Sequence, residues 1–167
     1  MAFAPSIPST SSDLASAGFS LSWTTTSAES DLDRVGKRLG AELTDALQRG
    51  QRFVLWLVGD MGAGKTTLTG STLRAMGHPK DVPVLSPTFT YLNEYRLDDA
   101  WLAHIDFYRA AAGFDLEELG MVDARDYRGY FIEWPDHVPS HTHLAPTCVM
   151  SIAWVDPDTR EYSLWIR

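Results

Sequence analysis

The chain has 167 residues, 44% of them hydrophobic and 22% charged, with a formal net charge of −8 at pH 7. That length suits one domain with a true core and leaves no room for a second full one, and no apolar run approaches the roughly 20 residues that a membrane-crossing helix requires. The acidic balance works against direct, tight binding of a polyphosphate backbone, so any nucleic acid is expected to be met through a partner or a small local basic patch.

Residues 1–20 are rich in Ser, Ala, Pro and Thr and read as a flexible tail, leaving 21–167 as the folded domain. Residues 2–22 hold no Lys or Arg and no continuous apolar block, so they do not read as a secretory signal. From Ser30 onward, Leu32, Val35, Leu39, Leu43, Ala46 and Leu47 recur at helical spacing, with Ser30 placed to cap the start and Gly50 to end it. Phe53-Val54-Leu55-Trp56-Leu57-Val58 is a continuous apolar run, the pattern of a strand covered on both faces in a parallel sheet. A helix is expected over Thr66–Met76, stopped by Gly77 and Pro79, then strands at Thr88–Tyr95, Trp101–Asp106 and Tyr130–Trp134, with a short helix at Leu116–Leu119. Thr147–Val155 and Tyr162–Ile166, split by the turn-favouring Asp156-Pro157-Asp158-Thr159, predict a terminal hairpin. Cys148 is the sole cysteine and lies in an apolar stretch, so it reads as a small buried hydrophobe in a chain compatible with a reducing compartment. The expected fold class is α/β: a single P-loop NTPase-like, three-layer domain with a mixed, mainly parallel central sheet and a C-terminal β-hairpin.

Between the apolar strand and the helix that follows stands Gly59-Asp60-Met61-Gly62-Ala63-Gly64-Lys65-Thr66, a full Walker A pattern in the context its mechanism requires. Its glycines let backbone N–H groups converge on phosphate oxygens, the helix N-terminus adds partial positive charge, Lys65 reaches the outer phosphates and the Thr66 hydroxyl suits Mg²⁺. Such a cradle needs carboxylates at the ends of neighbouring strands to manage metal and water, and Asp106 and Glu133 each terminate an apolar run, with Trp134 and Pro135 placed to shape a wall. Ser86-Pro87-Thr88-Phe89 reads first as a turn entering a strand; the alternative is that Thr88 faces the γ-phosphate in the manner of a switch loop. His137, His141 and His143 have poor spacing for a metal site and read as loop histidines, and Asp156 and Asp158 as turn residues.

Taken in order, Gly59-Asp60-Met61-Gly62-Ala63-Gly64-Lys65-Thr66-Thr67, Ser86-Pro87-Thr88-Phe89-Thr90, His104-Ile105-Asp106-Phe107-Tyr108-Arg109, Leu116-Glu117-Glu118-Leu119-Gly120 and Glu133-Trp134-Pro135 resemble the bacterial TsaE ATPases of tRNA threonylcarbamoyladenosine biosynthesis. The likeness runs from about Ser30 to the end. It implies a cytoplasmic P-loop ATPase using ATP and Mg²⁺ that joins TsaB and TsaD and supports turnover of their complex, meeting tRNA only through it. By the same likeness, Met61, Gly62, Ala63, Gly64, Lys65, Thr66, Thr67 and Arg160 contact nucleotide, and Thr66 and Glu133 address Mg²⁺. Asp106 then stands as the Walker B-like acid and Thr88 as the switch-like threonine, so that Asp106, Glu133 and Thr88 carry the catalytic expectation.

Two rivals come from other classes. A P-loop kinase would need a lid and an arginine-rich acceptor pocket, for which 167 residues leave little room. A GTP-driven switch would need an Asn-Lys-x-Asp segment to read guanine, and Asn93, the only asparagine, is followed by Glu94. Asp126-Tyr127-Arg128-Gly129 spells a switch-like Asp-x-x-Gly, but it precedes an expected strand instead of ending one.

Overall fold

A computed structural model of the chain describes residues 10–110, 127–138 and 143–167. In chain order it contains α1 (Ser11–Ser16), β1 (Ser20–Ala28), α2 (Leu32–Gln48), β2 (Phe53–Val58), α3 (Lys65–Ala75), β3 (Leu92–Leu97), β4 (Ala100–Asp106), β5 (Tyr127–Glu133), β6 (Cys148–Trp154) and β7 (Thr159–Ile166). Short 3₁₀ turns occupy Glu29–Asp31 and Pro135–His137.

The apolar run Phe53–Val58 has no polar side to turn outward, so it lies in the middle of the sheet, parallel to β5 on one side and to β6 on the other. The seven strands follow the order β1-β7-β6-β2-β5-β4-β3. Neighbours from β6 through β2 and β5 to β4 are parallel, and the outer pairings β6–β7, β1–β7 and β3–β4 are antiparallel. Alternation along β2 divides two cores. Phe53, Leu55 and Leu57 pack beneath α2 and α3 with Val35, Leu39, Leu43, Leu68 and Leu73, whereas Val54 and Trp56 face the opposite layer with Leu14, Ile105, Tyr130, Leu144 and Trp165. The Trp56 indole N–H reaches the Leu144 carbonyl at 2.9 Å, so its burial leaves no donor unmet. Helices α2 and α3 touch so closely that a Cβ added at Gly36 would sit 2.2 Å from the Ser71 hydroxyl oxygen.

The strand β2, the helix after the P-loop and the terminal hairpin agree with the sequence expectations. The hairpin turn is tied by Asp156 Oδ1, which accepts from the backbone N–H groups of Asp158 (2.9 Å) and Thr159 (2.8 Å). Other boundaries differ. Ser30 lies inside the 3₁₀ turn, and α2 starts after Asp31 without a side-chain cap. The strand expected at Thr88 starts at Leu92, because Tyr91 takes φ 62° and its N–H closes a turn onto the Pro87 carbonyl at 2.6 Å. Strand β5 begins at Tyr127, ahead of the apolar residues that betray it, and stops at Glu133, since Trp134 takes a left-handed φ of 55°. The helix expected at Leu116–Leu119 falls outside the described residues.

Within the segment read as a flexible tail, residues 11–16 form a helix. Thr10 and Asp13 cap it reciprocally at 3.2 Å, the Ser/Thr-x-x-acid box. A six-residue helix does not hold by itself; Leu14 anchors it by burial, and Arg167 both donates to the Ala17 carbonyl and covers the Phe19 ring. Strand β1 has Trp23 as its one large buried side chain and is held chiefly by its antiparallel ladder to β7, where hydroxyl side chains suffice on an outer edge.

Candidate functional site

Three parallel strands end side by side. Glu133, last in β5, stands opposite Leu57 of β2 and opposite Asp106, last in β4. The loop leaving β2 therefore meets both acids at the carboxyl edge of the sheet, where open α/β folds bind ligands. In that loop Gly62 (φ 79°) and Gly64 (φ 96°) adopt the left-handed backbone that side-chain-bearing residues avoid, and this turns the chain into α3. Gly64 is the N-cap of α3 and offers no side chain, so the amides of the first turn have neither intrahelical acceptors nor a cap. Their donors and the helix dipole favour an anion there.

Lys65 is buried, and its Nζ donates to the carbonyls of Gly59 (2.7 Å) and Asp60 (2.9 Å) while lying 4.0 Å from the Trp134 ring centre. Burial lowers its pKa from the ordinary lysine value, opposed by the charges of Glu133, Asp106, Asp60 and Asp136. The Thr66 hydroxyl donates to Glu133 Oε1 at 2.7 Å, and the same oxygen meets His104 Nε2 at 2.8 Å. Asp106 is engaged on both oxygens: Oδ2 accepts from the Thr88 hydroxyl at 2.5 Å and Oδ1 from the Tyr108 backbone N–H at 2.8 Å. Thr88 in turn shares a 2.6 Å hydrogen bond with Ser86. Both carboxylates are almost wholly buried.

Lys65, Thr66, Ser86, Thr88, Asp106 and Glu133 line one cleft of about 450 Å³, together with Met61, Gly62, Gly64, Thr67, Tyr108, Arg109 and Trp134. Trp134 holds its strained backbone where its ring is pinned between Lys65 and Tyr108, whose ring centre is 5.0 Å away. Hydroxyl, carboxylate, ammonium and helix N-terminus thus converge on one space, a donor set for a phosphate chain and a hard cation.

Most residues expected from the sequence meet here: Met61, Gly62, Gly64, Lys65, Thr66, Thr67, Thr88, Asp106 and Glu133. Ala63 belongs to the loop, but its side chain is buried in the core and its N–H donates to the Asp60 carbonyl. Arg160 does not line this cleft. It lies on β7, 3.9 Å from the Trp154 ring centre and 3.5 Å from Glu29, and its Nη1 is buried with no hydrogen-bond partner among the described residues. Trp154 lines a neighbouring cleft of about 510 Å³ that also borders Gly59, Asp60 and Trp134. His137 and His143 are exposed and His141 falls outside the described residues, among which no group of three or more metal-binding side chains gathers. Cys148 is buried, and desolvation pushes its thiol up to about 12, so it is neutral and unreactive near pH 7.

Sequence reasoning missed Ser86, Tyr108 and Arg109 as lining residues and His104 as the partner of Glu133. The signal for His104 was present: it precedes Asp106 by two residues in a strand, which puts both side chains on one face.

A family model described as "Threonylcarbamoyl adenosine biosynthesis protein TsaE" matches residues 26–162. The chain is 39% identical over 107 residues to the tRNA threonylcarbamoyladenosine biosynthesis protein TsaE of Haemophilus influenzae, across 62% of this chain and 64% of that protein. It is 40% identical over 82 residues to the Aquifex aeolicus protein of the same name, across 49% of this chain and 59% of the relative. Against the Synechocystis protein the figures are 34% over 107 residues, 60% and 64%. The matches span less than two thirds of each of these relatives. The crystal structure of Bacillus subtilis YdiB superposes with a TM-score of 0.62 over 89% of this chain and 86% of that one, a likeness of fold at 22% identity. With a matching model over most of its length and the Walker A loop set against two strand-end acids, the chain belongs to the TsaE family of threonylcarbamoyl adenosine biosynthesis proteins.

Proposed function

We propose that this protein binds ATP with Mg²⁺ on residues 61–67 and hydrolyses it, slowly alone and faster with partners, to support turnover of a TsaB–TsaD complex in the cytoplasm, with 21–167 as the ATPase domain. The observation that carries the reading is the convergence of Lys65, Thr66, Thr88, Asp106 and Glu133 on one cleft at the N-terminus of α3. The donor set suits Mg²⁺: a threonine hydroxyl and carboxylates are hard oxygen ligands, and this cation is ordinarily held by one or two side chains plus substrate phosphates, without an all-protein cage. Thr66 and Glu133 would hold it, and when bound it supplies neutralisation of phosphate charge.

Lys65 exchanges its two carbonyl acceptors for phosphate oxygens, stronger because both partners are charged. Asp106 keeps acceptor capacity beyond its bonds from Thr88 and Tyr108, enough to orient a water. Thr88 ties that acid to an irregular loop ending in exposed surface, Leu85 and Phe89 being 64% and 78% exposed, so the loop is our candidate for reporting nucleotide state to a partner. Arg160, packed on the Trp154 ring that lines the second cleft, is our candidate for contact with the part of the nucleotide beyond the phosphates, reached once its buried guanidinium shifts. Contact with tRNA is proposed to be indirect, in keeping with the net charge of −8.

The test is ATP and GTP turnover with and without TsaB and TsaD, beside partner affinity measured with an ATP analogue, with ADP and without nucleotide. ATP-selective turnover stimulated by the pair, with affinity that depends on nucleotide, is expected, since coupling between nucleotide and partner must be reciprocal. No turnover under any condition removes the ATPase reading; equal affinities in all three states remove the coupling alone.

A further inference from the structure

Glu133 takes two hydrogen bonds on one oxygen, and their sources differ in kind. Thr66 sits at the start of α3 beside the P-loop, whereas His104 is built into β4, between β3 and β5, where it pairs in register with Asn93 and Phe131. Thr66 is itself a candidate cation ligand. His104 is wholly buried, 2.8 Å from Glu133 Oε1 through Nε2, and its ring tilts against Tyr95 at 6.4 Å between centres.

An ionised carboxylate can only accept, so Nε2 carries the proton of the bond to Glu133. Nδ1 meets no hydrogen-bond partner among the described residues. A buried polar nitrogen left unmet costs stability, whereas a well-packed hydrophobe at this place would not incur that cost. The position is therefore poorly explained by packing and well explained by the one bond that the ring does make.

We propose that His104 is a positioning residue: its Nε2–H anchors the Glu133 carboxylate to the rigid sheet, so that the carboxylate keeps the orientation in which it addresses the divalent cation of the bound nucleotide. The inference rests on the reading of Glu133 as a cation-directed acid. Groups that hydrogen-bond a metal-directed ligand set its orientation, and their loss ordinarily weakens metal affinity. The cation should suffer, and the nucleotide's hold on Lys65 and the helix N-terminus should not.

The experiment uses the full chain with ADP bound. Mn²⁺ affinity is read by electron paramagnetic resonance, Mg²⁺ affinity by calorimetry, and ADP affinity in EDTA separately. His104→Asn keeps a polar group that cannot reach the Nε2 position, His104→Gln puts an amide N–H near it, and His104→Phe removes it; Asn stands in should Phe fail to fold. Expected is a loss of cation affinity of about tenfold or more for Asn and Phe, EDTA-state ADP affinity within about twofold of wild type, and recovery of most of the loss by Gln. Wild-type cation affinity in His104→Asn, or equal losses in Asn and Gln, would overturn the inference, the latter because it marks a merely structural role. Glu133→Gln separates the two levels. If it loses cation affinity while the His104 variants do not, only this inference falls; if it binds cation normally, the reading of Glu133 falls and takes this inference with it.

Discussion

Thr66 and Glu133, 67 positions apart in the chain, share a 2.7 Å hydrogen bond that joins the first turn of α3 to the last residue of β5. The hydroxyl donor and the carboxylate acceptor meet because β2 and β5 are adjacent and parallel, with Leu57 opposite Glu133. That adjacency brings the first turn of α3 and the Glu133 carboxylate to one cleft.

Lys65→Ala should lower ATP affinity by about 10- to 100-fold, the range of one charge-assisted contact of about 1.5–3 kcal/mol. The fold should survive, since the ammonium's present partners are two loop carbonyls at the cleft. Calorimetric titration of ATP into a variant with wild-type circular dichroism checks this; unchanged affinity would remove the site assignment.

Glu133→Ala and Asp106→Ala should each reduce hydrolysis by about tenfold or more while changing ATP affinity less, because their roles concern cation and water geometry. Thr88→Val should follow Asp106→Ala in part, for it removes the 2.5 Å donor to Oδ2, and Thr88→Ser should not. Single-turnover rates beside binding isotherms separate the effects, and full turnover in both acid variants would defeat the two-acid reading.

Arg160→Leu keeps apolar packing on Trp154 and removes the buried guanidinium. If Arg160 contacts nucleotide, ATP affinity should fall about tenfold. An affinity equal to wild type confines Arg160 to its contacts with Trp154 and Glu29.

Cys148 makes a pH prediction whose sign is fixed. Its thiol ordinarily titrates near 9.0 and is pushed up to about 12 by burial, so the folded state holds its proton more tightly than the unfolded state does. The stabilisation is complete below pH 9.0 and is lost as pH climbs towards 12. Tyr95 and Tyr162, also raised by burial from 10.0, add to the loss at higher pH. Denaturant midpoints of wild type and Cys148→Val should diverge in pH dependence just above pH 9, with the variant flatter; parallel curves would contradict the buried, neutral thiol.

Gly36→Ala should destabilise by about 1–3 kcal/mol, the usual cost of overpacking, since the new methyl group would stand 2.2 Å from Ser71 Oγ and 2.8 Å from the Ser71 carbonyl carbon. Helices α2 and α3 would have to separate. A lowered denaturant midpoint at unchanged slope is the expected result, and an unchanged midpoint would show that the helix pair yields freely.

The sequence alone determined whatever depends on local pattern. A run of six apolar residues directly before a glycine-rich loop reads as a strand hidden on both faces, the Walker A spacing reads as a phosphate loop, and Asp156 marks its own turn. The two acids were legible because each ends such a run. Strand β1 and helix α1 were not: Ser and Thr dominate them, and what holds them is the ladder to β7 and the burial of Leu14, contacts with residues more than a hundred positions away. Thr88 was placed in a strand because propensity cannot register a 2.5 Å bond to an acid 18 positions on; the face of His104 was legible from its spacing to Asp106, but its bond to Glu133 and the surroundings of Arg160 emerge only once distant strands lie side by side. Local backbone preference acts between neighbours in the chain, whereas the partners of a buried charge are chosen by sheet order, which only the folded chain establishes.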